Sequence, residues 1–149
     1  ACLLARAAGL LEIPVLCTEQ YPQGLGNTHA AVADALPKAT QAFTKTTFSC
    51  CDGQDFNAAL GNLARRQVVL VGMEAHICIL QTAFDLRAQG QQVLVVEDAI
   101  CSRRLENYQN ALDRLRQAAV QVVSAESVVF EWLRDAQHPH FKAIQTLLR

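Results

Sequence analysis

The stretch "VVLVGMEAHICILQTAFDL", Val68 to Leu86, opens as a β-branched and aliphatic run, breaks at Gly72 and continues as a helical pattern. Cys78 falls in the opening turn of that pattern. A thiol there meets the positive end of the helix dipole and free backbone N–H groups, which favour a thiolate. The same N–H groups can hold an oxyanion beside the sulfur. This is the layout of a strand–turn–helix nucleophile, and its chemistry is attack on a carbonyl-type carbon. Cysteine is also among the most buried residue types, so position alone leaves Cys78 as either a nucleophile or a core thiol.

Other side chains could serve such a reaction. Lys45, in "AFTKTTFS", ends a weak strand-like run. From there an ammonium can hold a thiolate or polarise a carbonyl, and it can equally be a solvated surface lysine. The loop "TEQYPQGLGNT", Thr18 to Thr28, carries Gly24, Gly26 and Pro22, and its Tyr21 offers a flat face with a polar tip. It reads as a pocket cap or a plain connection. It is not a phosphate-cradling glycine motif and has no Walker-type lysine. His76 stands two residues before Cys78. Residues so spaced on a helix do not face each other, so we expect an exposed first-turn histidine and no Cys–His dyad. His138 and His140 in "QHPHF" have no neighbouring Asp, Glu or Cys to complete a metal site, and read as a surface helix start.

These residues need elements to position them. Short Val-rich runs at Ile13–Cys17, Val68–Val71, Val93–Glu97 and Val120–Val123 predict strands covered on both faces, with a weaker one at Ala42–Lys45. Helical patterns separate them. Leu105, Tyr108, Leu112 and Leu115 share one stripe, Phe141, Ile144 and Leu148 another, and Gln81, Asp85 and Gln89 form the polar stripe of a mostly buried helix. Alternation of strands with helices of about 10–15 residues implies right-handed βαβ units and a parallel sheet. Chemistry in such sheets sits beyond the carboxyl ends of the strands. That rule selects Thr18–Thr28, Lys45–Ser49, Gly72–Cys78 and Asp98–Arg103.

Composition fits one α/β domain over residues 1–149, 51% hydrophobic, with 13 basic and 14 acidic residues. No basic excess points to nucleic acid, no charge run to a binding tail, and no apolar run is long enough to span a membrane. Three of the six cysteines, Cys17, Cys78 and Cys101, lie in aliphatic stretches, and there is no C-x-x-C pair. That is how free thiols look in a reducing compartment, so we expect the cytoplasm, with an organelle such as the mitochondrion left open.

Taken together, "GMEAHICILQTAFDL" and "VLVVEDAICSR" resemble the isochorismatase-like cysteine hydrolases, relatives of nicotinamidases and N-carbamoyl amidohydrolases. "TEQYPQGLG", "KTTFS" and the ending "DAQHPHFKAIQTLL" narrow the resemblance to the isochorismatase domain-containing proteins. The resemblance implies a doubly wound, mostly parallel open sheet with helices on both faces. It implies that Cys78 is the nucleophile and Lys45 the lysine beside it. It matches Gly72-Met73-Glu74 to a turn with a cis peptide, Met73–Glu74, aiming the N–H groups of Glu74 and Cys78 at one point as an oxyanion hole. Gln20, Tyr21, Phe48 and Met73 become the substrate-facing set. The implied activity is hydrolysis of a small carbonyl or amide substrate without cofactor, by a chain that commonly forms homo-oligomers. The alternative is a non-catalytic member acting in protein–protein interaction.

Two departures qualify the match. "TEQYPQGLG" lacks the His and Asp with which nicotinamidases bind metal, so no metal is expected. The family's aspartate, in a D-x-Q segment on the first strand, has no counterpart, and Asp34, Asp52 and Asp55 lie in the wrong contexts. In the family order 3-2-1-4-5-6 the first strand is central, and its absence leaves two strand edges unpaired. Met73 is the only methionine and the chain begins inside a helical pattern, so we expect a segment before Ala1 that holds this strand.

Overall fold

The computed structural model describes residues 1–148. Among them are strands β1 (Cys17–Gln20), β2 (Ala42–Lys45), β3 (Gln67–Met73), β4 (Gln92–Cys101) and β5 (Gln121–Val123). The helices are α1 (Cys2–Leu10), α2 (Pro22–Leu25), α3 (Ala30–Ala33), α4 (Gln54–Asn62), α5 (Leu80–Ala88), α6 (Leu105–Gln117), α7 (Ala125–Leu133) and α8 (Phe141–Leu147). A π-helical turn, Ala75–Ile79, leads into α5.

All strand pairs are parallel. β1 pairs with β2, and β4 lies between β3 and β5, in two separate ladders. Among the described residues β1, β2, β3 and β5 each keep one edge unpaired. β4 has a ladder on both sides, and Val93 to Val96 are buried. Its side chains alternate between the two faces, as a pleated strand requires. Val93 and Val95 join a core with Leu80, Leu86, Leu112 and Leu115 from α5 and α6. Val96 joins the opposite core with Leu4, Val129 and Ile144 from α1, α7 and α8. Helices therefore cover both faces.

The expected strand Ile13–Cys17 is displaced to Cys17–Gln20. Pro14 has no N–H to give a ladder, and Glu12 has φ 55°, so residues 13–16 lead in without pairing. Pairing begins at Cys17 against Ala42. The expected Val93–Glu97 is longer, because β3 and β4 re-pair after a register shift, Gly72 with Ile100 and Met73 with Cys101. Gly72, at φ +118°, makes that shift in a conformation side-chain-bearing residues avoid. Leu105, expected on the buried stripe of α6, is 65% exposed. It opens the helix, while Ala111, Leu112 and Leu115 further along form the buried face.

Candidate active site

β1 and β2 end together, with Gln20 opposite Lys45 in the last register pair. The Tyr21 N–H continues the ladder by donating to the Lys45 carbonyl at 2.8 Å. The Lys45 ammonium donates to Gln20 Oε1 at 2.5 Å and to the carbonyls of Thr47 and Phe48, each at 2.9 Å. An ammonium has three donors, and all three are used. Gln20 Nε2 donates to the Thr46 carbonyl at 2.7 Å. The Cys78 thiol makes a long contact, 4.0 Å, to the same Gln20 Oε1. Cys78 and Lys45 thus meet at one oxygen, and both side chains are half-buried.

The turn that holds Cys78 is π-helical, a form that recurs at functional sites. The Glu74 carbonyl accepts the N–H groups of Ile77 at 3.1 Å and Ile79 at 3.2 Å, passing over Cys78. The Met73–Glu74 peptide is cis. The Glu74 side chain faces the β4–α6 connection. Its Oε2 accepts the Arg103 backbone N–H at 3.0 Å, and Oε1 pairs with Arg103 Nε at 3.3 Å.

His76 is not the exposed histidine expected. Its side chain is 20% exposed, with Nδ1 at 2.9 Å from Ser102 Oγ and 3.5 Å from Glu74 Oε2. Nε2 lies 3.3 Å from Asn107 Nδ2. Its contacts therefore tie the cysteine turn to the loop before α6 and to α6 itself.

The remaining candidates stand around this centre. Tyr21 sits in the left-handed region (φ 41°), and its ring lies over Gly24, where a Cβ would come within 2.3 Å of a ring carbon. Tyr21, Phe48 and Met73 are exposed large apolar side chains. A shallow depression of about 350 Å³ lined by Tyr21, Lys45, Thr47 and Asp52 reaches the lysine side of the site and does not include Cys78. Among the described residues no three His, Cys, Asp or Glu side chains are grouped to hold a metal ion.

Two supports were not foreseen. Glu19 Oε1 accepts both the N–H and the hydroxyl of Thr28, each at 2.7 Å, closing the loop that carries Tyr21. Those two hydrogen bonds, the backbone one first, hold the Glu19 carboxyl below the usual range. Thr82, four residues past Cys78 on the same helical face, ties α5 to the turn after Lys45 through the Cys50 N–H. The i, i+4 spacing of a polar residue on an apolar face was the available signal. The other thiols differ from Cys78 in setting. Burial pushes Cys51 up to about 11, whereas Cys101 is simply exposed.

The isochorismatase domain model matches residues 1–127. The chain belongs to the isochorismatase family. It is 42% identical over 147 residues to isochorismatase domain-containing protein 1 of Salmo salar, covering 98% of this chain and 51% of that protein. The chain thus spans about half the length of this curated relative. The solved structure described as MAR1 ribonuclease from Caenorhabditis elegans superposes with a TM-score of 0.94 at 37% identity, covering 99% of this chain and 75% of that one. The YcaC gene product of Escherichia coli, described as an octameric hydrolase of unknown specificity, gives 0.89 at 22% identity, covering 98% and 72%. That last likeness bears on the isochorismatase fold alone.

Proposed function

We propose that this chain is a cysteine hydrolase domain that acts on a small amide or related carbonyl substrate. One observation carries the reading: Cys78 and Lys45, from elements far apart in sequence, reach the same Gln20 oxygen at the carboxyl ends of the strands. In the proposed reaction the Cys78 sulfur adds to the carbonyl carbon, and the C=O electron pair moves to oxygen. The N–H groups of Glu74 and Cys78 receive that oxyanion, and Lys45 supplies positive charge beside the sulfur. The thiol proton passes to the leaving nitrogen. The intermediate collapses to a thioester with loss of the amine, and water hydrolyses the thioester to acid and free thiol. Gln20, Tyr21, Phe48 and Met73 face the substrate.

We also propose a homo-oligomer in the cytoplasm. YcaC is described as octameric, and all six cysteines here are free. Tyr21, Leu25, Phe48, Met73 and Leu105 expose large apolar side chains in or beside the loops at the carboxyl ends of the strands.

The test is a panel of small primary amides incubated with the chain, followed by intact mass. Release of ammonia with a transient acyl adduct at Cys78, lost in Cys78→Ala, is the expected result. The C. elegans neighbour is described as a ribonuclease, so RNA forms a second arm. RNA cleavage without any adduct on Cys78 would replace the amide reading.

A further inference from the structure

We propose that Gln20 is a positioning residue that holds the Lys45 ammonium at the Cys78 thiol. The inference deepens the reading of Cys78 as nucleophile and rests on it. The orientation of the Gln20 amide follows from its partners. Nε2 donates to the Thr46 carbonyl at 2.7 Å, so Oε1 faces the other way, towards Lys45 at 2.5 Å and Cys78 at 4.0 Å. The opposite orientation would set an NH₂ group against an ammonium and a carbonyl against a carbonyl.

Among the described residues, one tether of Lys45 leaves its own loop. Its bonds to the Thr47 and Phe48 carbonyls are local and run along residues 45–48. The bond to Gln20 crosses to β1 and ends on the atom that the thiol also approaches. The register pair Gln20–Lys45 fixes both backbones, so little conformational freedom is left to the bridge. Without Gln20 the ammonium loses the hydrogen bond that, among the described residues, directs it towards the thiol.

A glutamine suits this role better than a glutamate. A carboxylate would also grip Lys45, but it would cancel the charge and place a like charge beside a forming thiolate. The neutral carbonyl holds the cation and leaves its charge available. Gln20 therefore acts through Lys45, without itself bonding to the reacting carbon.

The experiment is a double-mutant cycle on the full chain. Alkylation of each cysteine by limiting iodoacetamide at neutral pH is followed by peptide mass, with Cys17 and Cys101 as internal references. Gln20→Leu should slow labelling at Cys78 about tenfold, and adding Lys45→Ala should change it by less than about twofold, because residues acting as one unit are not additive. Gln20→Glu should also slow Cys78 while leaving Cys17 and Cys101 unchanged. A merely structural role would slow or speed all three thiols together and leave the Lys45 effect intact. Should Gln20→Leu fail to fold, Gln20→Asn, whose oxygen is withdrawn by one methylene, takes its place with the same expected non-additivity. Additive losses, or a Gln20 variant that labels like the wild type while Lys45→Ala is slow, would overturn the inference alone. A wild-type Cys78 no faster than Cys17 and Cys101 would overturn the nucleophile reading and this inference with it.

Discussion

The Thr82 hydroxyl accepts the Cys50 backbone N–H at 3.0 Å, where Thr82 is 2% exposed. It is one of two buried polar residues among the described residues and joins the helix after Cys78 to the turn after Lys45. Thr82→Val keeps the shape and removes the acceptor. An N–H left without a partner costs about 1–3 kcal/mol, so the unfolding free energy should fall by that amount and the denaturant midpoint should fall with it. Cys78 labelling should fall as well. An unchanged midpoint would mean that water replaces the hydroxyl.

Charge at the site is tested at Lys45. Lys45→Ala should slow alkylation of Cys78 roughly tenfold, as expected when a single opposite charge is taken from beside a thiolate. Lys45→Arg keeps the charge but not the compact ammonium held by Gln20, Thr47 and Phe48, and should recover only part of the rate. Equal rates in all three proteins would remove Lys45 from the mechanism.

Cys51 gives an alkaline signature. Burial, the largest cause, raises its thiol from 9.0 to about 11. The folded state prefers the neutral form, so the associated stability is complete below pH 9.0 and is lost as pH rises through about 11. The melting temperature should decline over that window, and Cys51→Ala should flatten the decline. The same burial keeps Cys51 poorly alkylated at neutral pH, which mass mapping would check.

Glu19 gives the opposite sign. Its carboxyl is held low by the Thr28 backbone and hydroxyl hydrogen bonds. Its contribution is present above the unfolded carboxylate value and is lost as pH falls through the lowered folded value. Hydrogen exchange at the Thr28 amide should accelerate in acid beyond the intrinsic trend. In Glu19→Gln the amide should exchange faster at neutral pH and lose that acid dependence. Thr28 protection equal in both proteins would show that the clamp does not hold the loop.

The sequence by itself determined the class of fold and the layer in which the candidate site lies. Val93–Val96 read as a strand covered on both faces because burial on two sides needs an unbroken apolar run. Cys78 read as lying at a strand–helix turn because the β-branched run breaks at Gly72 and a helical pattern follows, with Cys78 in its opening turn. Both signals are local, carried by neighbours along the chain. What only the tertiary structure decided is which side chains meet. Gln20 and Lys45 are 25 residues apart and Gln20 and Cys78 are 58 apart, and no periodicity records that one oxygen serves both. His76 gained Ser102 and Asn107 as partners where α6 meets the cysteine turn, and Leu105, at the start of α6, lies outside the core. The start of β1 moved to Cys17 because its partner Ala42 sets the register, and a strand exists only where another strand accepts its hydrogen bonds.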